Sequence, residues 1–300
     1  MRDQSKVFQL LGETTGSIFP LAGEIMGPLF EENFTEQRFY QPAFMAYQLA
    51  PKILTETLFQ QRTPYTNPDA IHENLVDAVK AGYLEEEGVD GYRASQKGRD
   101  AIELVHKKFY NHINEVSQLP AEKMKSLAGM LRVLVEEVGK TELSSGNLSF
   151  SLVRDGHPEV NPGTLAEVDQ LLDDLNAFRD DAHIAAWTPT GVSGQVWEAL
   201  TFIWNGDAST AAELVEKLPY RSYTEDEFQK GLDKLVDKGW AEVGDEGFIL
   251  TDTGKEIREK AEQETNDLYF GPWEVLSTED LDLLGELLAE LKETNLKFVE

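Results

Sequence analysis

Few side chains in this sequence stand at spacings that could do chemistry. His106 and His112 are six residues apart, so on a helix they face different sides and cannot share a metal as an i, i+4 pair would. Asp180-Asp181-Ala182-His183 holds metal-ligand residue types, but acids near a helix end are expected to be solvated, and no metal is assigned. Glu136-Glu137 and Asp173-Asp174 read as exposed helix faces; without a cleft they do not make a general acid/base pair. Gly191-Val192-Ser193-Gly194 is neither a phosphate loop nor a nucleophile elbow, and fits a turn that starts a helix. Cysteine is absent, which excludes disulfides, thiolate nucleophiles and Cys-based zinc or iron–sulfur sites. These residues point away from an enzyme, and no catalytic residue or cofactor is expected. An aromatic stripe is more suggestive. Tyr40, Phe44 and Tyr47 recur at i, i+4 and i+7, and Trp197 and Trp204 repeat that spacing later. Such a stripe fits helix core, or the wall of a pocket for a flat aromatic ligand.

The elements that must position these residues belong to a globular chain of 300 residues, 41% apolar and 27% charged. No window supplies the run of about 20 apolar residues of a membrane span, and the first residues lack a signal-peptide core, so a cytoplasmic protein without membrane partners is expected. Net charge is −28, distributed as −6 over residues 1–150 and −22 over 151–300. A field of that sign slows encounters with nucleic acid or anionic lipid.

The chain repeats itself. At a shift of 157, Ile71, Leu75, Ala78, Val79, Gly82 and Tyr83 fall on Phe228, Leu232, Leu235, Val236, Gly239 and Trp240, an apolar helix face followed by a glycine stop. At a shift of 156, Tyr92 to Arg99 falls on Phe248 to Lys255. At a shift of 157 again, after one inserted residue, Leu119-Pro120-Ala121-Glu122 falls on Leu276-Ser277-Thr278-Glu279. The second copy reads as helices over about 165–183, 193–205, 209–218 and 225–238, a hairpin of Trp240–Val243 and Phe248–Thr251, and long helices over about 253–269 and 278–296. The sequence therefore predicts a mainly α protein with copies at 1–140 and 164–300. A linker at 141–163 joins them, in which Asn147 to Val153 forms at most a short strand.

On Leu235-Val236-Asp237-Lys238-Gly239-Trp240, Leu250-Thr251-Asp252-Thr253-Gly254-Lys255 and Leu276-Ser277-Thr278-Glu279, with their first-half counterparts, the sequence resembles the MarR-type winged helix-turn-helix regulators in duplicate. Through Thr265-Asn266-Asp267 to Pro272-Trp273 it is also similar to a group of tandem helix-turn-helix proteins. The resemblance implies two winged-helix copies with hairpin wings and long trailing helices, packed as an intramolecular pseudo-dimer. It implies a ligand-responsive transcriptional regulator acting on double-stranded DNA, as a monomeric pseudo-dimer or a homodimer, with a ligand pocket between winged domain and trailing helices. Carried over, the DNA-contacting candidates are Lys230, Lys234, Lys238, Lys217, Arg221, Asn74 and Lys80, and the ligand-binding candidates Tyr40, Phe44, Tyr47, Trp197 and Trp204.

The charges depart from that plan. The reading helices carry Glu225, Asp226, Glu227, Asp233 and Asp237, or Asp69, Glu73 and Asp77, and the wing tips Asp245-Glu246, or Glu85-Glu86-Glu87 with Asp90. Beside phosphates these would oppose counterion release. The alternative function is a winged-helix scaffold without DNA binding, serving as a small-molecule-binding or protein-interaction module. Rows Met124, Leu127, Leu131, Leu134 and Leu281, Leu284, Leu288, Leu291 are expected to be buried against the rest of the chain. Tyr40, Tyr47, Trp197 and Trp204 are expected to be largely buried beside a cavity in at least one copy.

Overall fold

A computed structural model describes residues 4–299; Met1 to Asp3 and Glu300, at the outer ends of the two expected copies, lie outside the described residues. Two helices, α1 (Gln4–Ile18) and α2 (Gly23–Asn33), open the chain. Next come α3 (Tyr40–Leu49), β1 (Leu54–Thr55), α4 (Glu56–Arg62), α5 (Pro68–Lys80), a hairpin of β2 (Leu84–Glu87) and β3 (Gly91–Ala94), and the long helices α6 (Gln96–Val116) and α7 (Ala121–Val138). After α8 (Leu148–Gly156), the second half runs through α9 (Leu165–Trp187), α10 (Gly194–Asn205), α11 (Ala211–Lys217), α12 (Glu225–Asp237), a hairpin of β4 (Ala241–Val243) and β5 (Phe248–Leu250), α13 (Asp252–Phe270) and α14 (Thr278–Val299). The protein is mainly helical with two small antiparallel sheets.

Local chemistry explains the elements. Thr224 and Glu227 form a reciprocal capping box on α12, and the Asn67 side chain accepts from the Asp69 amide ahead of Pro68 on α5. Each of these helices ends at a left-handed glycine, Gly82 (φ 80°) or Gly239 (φ 70°). Ile71, Leu75 and Ala78 are buried on α5, as are Phe228, Leu232 and Leu235 on α12. The join between hairpin and following helix is the same in both halves. Ser95 Oγ donates to the Gly82 carbonyl at 2.6 Å and accepts from the Gly98 amide at 3.0 Å. Thr251 Oγ1 donates to Gly239 at 2.7 Å and accepts from Gly254 at 3.1 Å. A Cβ on Gly98 would lie 2.3 Å from the Tyr83 carbonyl oxygen, and one on Gly254 2.0 Å from that of Trp240. Only glycine lets the helix start that close to the strand. The halves differ at the sheet edge. β1 pairs with β3 in the first, whereas in the second one bond, Phe248 N–H to the Ser209 carbonyl at 2.7 Å, stands in for a third strand.

Packing ties the halves together. α1 lies on α14: Thr14 donates to the Leu288 carbonyl at 3.1 Å, and Asn295 to Ser17 at 3.0 Å. In return α9 lies on α7, with Arg132 and Glu167 paired at 2.5 Å. Each half's leading helix therefore covers the other half's final helix. Met124, Leu127, Leu131 and Leu134 share one core with Leu284, Leu288, Leu291, Tyr269 and Trp273, and Leu281 packs half-buried at its edge. A second core is confined to residues 186–261.

The segment expected to be a linker differs. Leu148–Gly156 is a helix with Phe150 and Leu152 buried, lying between α3 and α9. Its amide end is held by a carboxylate from another element, the Ser149 and Phe150 N–H groups donating to Asp181 at 2.9 and 2.8 Å. A cap 31 residues away in sequence leaves no local signature, which is why periodicity missed this helix.

The shared core predicts that the halves unfold together. Trp187, Trp197, Trp204, Trp240 and Trp273 all report the second half. Leu131→Ala, in the first half, should lower the denaturation midpoint seen by tryptophan fluorescence by about 2–5 kcal/mol of stability. Fluorescence and far-ultraviolet circular dichroism should give coincident transitions. A tryptophan signal untouched by that substitution would contradict the shared core.

Candidate functional site

Two places could carry function: the amino ends of α5 and α12, and a cavity beside α3. At the first, the chain leading into α5 meets the chain leading into α12. The Asn67 amide donates to the Arg221 carbonyl at 3.0 Å, and its side-chain amide donates to Ser222 O at 3.0 Å and Glu227 Oε1 at 3.3 Å. Tyr65 Oη accepts from Trp187 Nε1 at 2.9 Å, and the Arg221 guanidinium lies over the Tyr65 ring at 5.2 Å. Gly194 makes room for this: a Cβ there would stand 2.1 Å from the Pro64 carbonyl oxygen.

These contacts redistribute the DNA-contacting candidates. Arg221 forks onto Glu198, with Nη2 to Oε1 at 2.8 Å and Nε to both oxygens at 3.0 and 3.1 Å, so its charge is spent inside the protein. Asn74 donates to the Arg38 carbonyl at 3.3 Å, and Lys80 pairs with Asp77 at 2.9 Å. Lys217, Lys230, Lys234 and Lys238 are exposed, and Lys238 lies over the Trp240 ring at 4.8 Å. Glu225, Asp226, Asp233 and Asp237 are exposed on the same helix, and Glu85, Glu86, Asp90, Asp245 and Glu246 are exposed on the wings.

The second place is a cavity of about 380 Å³ where α3 and α6 face α1, α2 and α9. Tyr40, Phe44, Phe30, Phe109 and Tyr110 supply aromatic wall, and Phe19, 55% exposed, stands at its mouth. Tyr40 Oη and His106 Nε2 are 3.1 Å apart inside it. Burial pushes His106 down to about 4, helped by repulsion from His157, and it pushes the Tyr40 hydroxyl above the usual phenol range. From α9 come Asp169 and Asp173, one helical turn apart. Burial drives both carboxyls above the ordinary carboxylate range; repulsion from Asp173 raises Asp169 further, while on Asp173 attraction from His157 opposes the burial and repulsion from Asp174 adds to it. Neither carboxyl hydrogen-bonds or ion-pairs with another described residue.

Asp173-Asp174 is therefore not an exposed helix face. Asp174 is 2% exposed and receives Arg154 at 3.1 Å and His157 at 3.0 Å, while Asp173 lines the cavity. The reason is α9 itself, packed against α1, α6, α7, α8 and α13, which leaves little solvent for any of its faces. Of Asp180-Asp181-Ala182-His183, Asp180 is exposed, as expected, and pairs with Arg62 at 3.2 Å, whereas Asp181 is buried against the start of α8. A larger hollow of about 630 Å³ lies between α4, α5 and α9, but its charged groups are committed: Glu56 to His72 at 2.7 Å and Asp181 to α8.

Tyr47 is half-buried and is not part of the wall of the cavity beside Tyr40; it lines an adjoining hollow with Glu103 and Lys107, which shares His106 and Tyr110 with that cavity. Trp197 is 1% exposed, stacked on Trp187 with ring centres 5.8 Å apart. Trp204, 37% exposed, departs from the expected burial; it lies on the surface under the Arg258 guanidinium at 4.7 Å. Asn67, Asp169 and Asp173 went unrecognised as site residues, because only tertiary packing turns an asparagine cap into a bridge and two helix acids into a cavity wall.

His183 explains how Trp197 is fixed. The indole N–H donates to His183 Nε2 at 3.3 Å, and Thr265, whose hydroxyl donates to Ala261 at 2.7 Å, accepts from Nδ1 at 3.2 Å. That chain needs a neutral ring. Burial lowers His183 to about 4, and Arg258 and Arg179 add repulsion. Because the unfolded imidazole takes its proton near 6.5, the unfolded state binds more protons between about pH 6.5 and 4, and the stability from this site falls as pH drops through that window. Wild type should lose about 1–3 kcal/mol more than His183→Asn between those limits in denaturant titrations. Equal losses would place the acid sensitivity elsewhere.

Residues 161–297 match the model of a helix-turn-helix family. No curated protein and no solved structure matches the chain. No helix among the described residues is long and apolar enough to cross a membrane. The second half thus carries a helix-turn-helix domain, the kind of domain from which DNA-binding regulators are built.

Proposed function

We propose that the chain is a winged-helix ligand-binding module of MarR-like plan, in which two copies form an internal pseudo-dimer and the paired reading helices do not enter DNA together. The recurring join at Ser95/Gly98 and Thr251/Gly254, and the reciprocal cover of α1 on α14 and α9 on α7, support the internal pairing. The observation that carries the functional reading is the Asn67 bridge to Arg221, Ser222 and Glu227. A paired reader sets its reading helices about 34 Å apart, with their first residues on base edges. Here those first residues touch. Each 13-residue helix is about 20 Å long, so even laid end to end their centres would be only about 25 Å apart. The acids on both helices and both wings add repulsion from phosphate.

A second reading has its own support. The family match covers the second half, and Lys217, Lys230 and Lys234 are exposed there, so α12 could engage DNA alone. A mobility-shift titration with random duplex at low salt separates the two. The proposed module gives no retardation at micromolar protein. Retardation that weakens on Lys230→Ala/Lys234→Ala would support the single-headed reader and overturn the module. Gly194→Ala tests the bridge itself: the Pro64 carbonyl must retreat, at a cost of about 1–3 kcal/mol. A variant as stable as wild type would mean that the two segments do not press together in solution.

A further inference from the structure

We propose that the cavity beside Tyr40 and Phe44 takes an organic cation, an ammonium group on an aromatic or aliphatic body, with its charge held by Asp169 and Asp173. This rests on the ligand-binding reading above and gives it a chemical class. Asp169 is 7% exposed, lines the cavity, and among the described residues has no hydrogen-bonding or ion-pairing partner. A carboxyl in that position is costly to keep unless something completes it. Asp173, one turn along α9, lines the same cavity; it is half-buried, and His157 offsets part of its charge. Residues i and i+4 on a helix are close enough for one cationic group to meet both.

The counter-charge the protein supplies there is partial: His157, also in the lining, favours the charged form of Asp173, and no cation among the described residues offsets Asp169. The lining contains no lysine or arginine. His157 Nε2 is committed to the Gln170 carbonyl at 3.1 Å and to Asp174 at 3.0 Å, and His106 is held neutral by burial. The walls fit the same ligand. Tyr40 and Phe44 stack with ring centres 5.4 Å apart, and Phe30 meets Tyr40 edge to face at 5.0 Å. Aromatic faces attract ammonium groups and bury hydrocarbon equally well. A metal ion suits this wall poorly, since hard cations take six or more oxygens and no group of three metal-ligating side chains occurs among the described residues. An aromatic carboxylate would enter against two acids.

The test is calorimetry and thermal shift on the full chain with four probes that share one benzene ring and differ in charge: benzyltrimethylammonium, benzylamine, benzyl alcohol and benzoate. The two cations should bind and raise the melting temperature, and benzoate should do neither. Asp169→Asn and Asp173→Asn keep the shape and remove the charge. Each should weaken cation binding about 30-fold or more, while the ligand-free variants melt at or above wild type because a stranded carboxyl is gone. Binding of benzyl alcohol or benzoate as tight as that of the cations overturns the charge assignment and leaves the ligand-binding reading standing. If no probe binds and both substitutions lower the melting temperature, the acids are structural and both statements fail.

Discussion

Helix α9 is the constraint on which the rest depends. It begins the second half yet lies against α6, α7 and α8 of the first as well as α13 of its own. A helix enclosed in this way cannot segregate polar from apolar faces, so its acids must each find a use. Asp174 is neutralised by Arg154 and His157, Asp181 caps α8, and Asp180 pairs with Arg62. Asp169 and Asp173 remain, and they open onto the cavity. The same enclosure draws the two halves together: Trp187, at the end of α9, bonds Tyr65 between α4 and α5, and Asn67 completes the contact. Core packing, the joined segments and the acidic cavity are consequences of one helix placed between two halves.

Charge follows the same division. Most of the net −28 belongs to residues 151–300, and the acids of α12 and the wings stay on the surface, where mutual repulsion costs little in water. At a DNA backbone it would cost far more. Arg221, ahead of α12, is bound to Glu198 and covers Tyr65. It thus helps to hold the halves together.

Much of the fold was legible because its determinants are local. The caps at Asn67 and Thr224, the stops at Gly82 and Gly239, and the Ser95/Gly98 and Thr251/Gly254 joins all lie within a few residues of what they control. The leucine rows on α7 and α14 announced a buried face through their spacing. What sequence could not display was contact at a distance. α8 depends on a carboxylate from α9, Asp173-Asp174 looks solvated until α9 is enclosed, and Tyr40 and Tyr47 sit on one stripe yet face different hollows. Trp197 and Trp204 likewise share a helix face but divide between core and surface, because the buried residues of α10 end at Leu200 and Trp204 lies in its last turn.

The central claim, that the chain ahead of α5 is joined to the chain ahead of α12, is tested most directly at one amide. Asn67 caps α5, and a capping amide has no partner within its own helix. Here its proton goes to the Arg221 carbonyl across the two halves at 3.0 Å. Residue-resolved hydrogen exchange on the full chain therefore reads the joint without altering it. The account predicts an Asn67 amide protected to the level of the α5 interior; exchange at the rate of an open turn would contradict it.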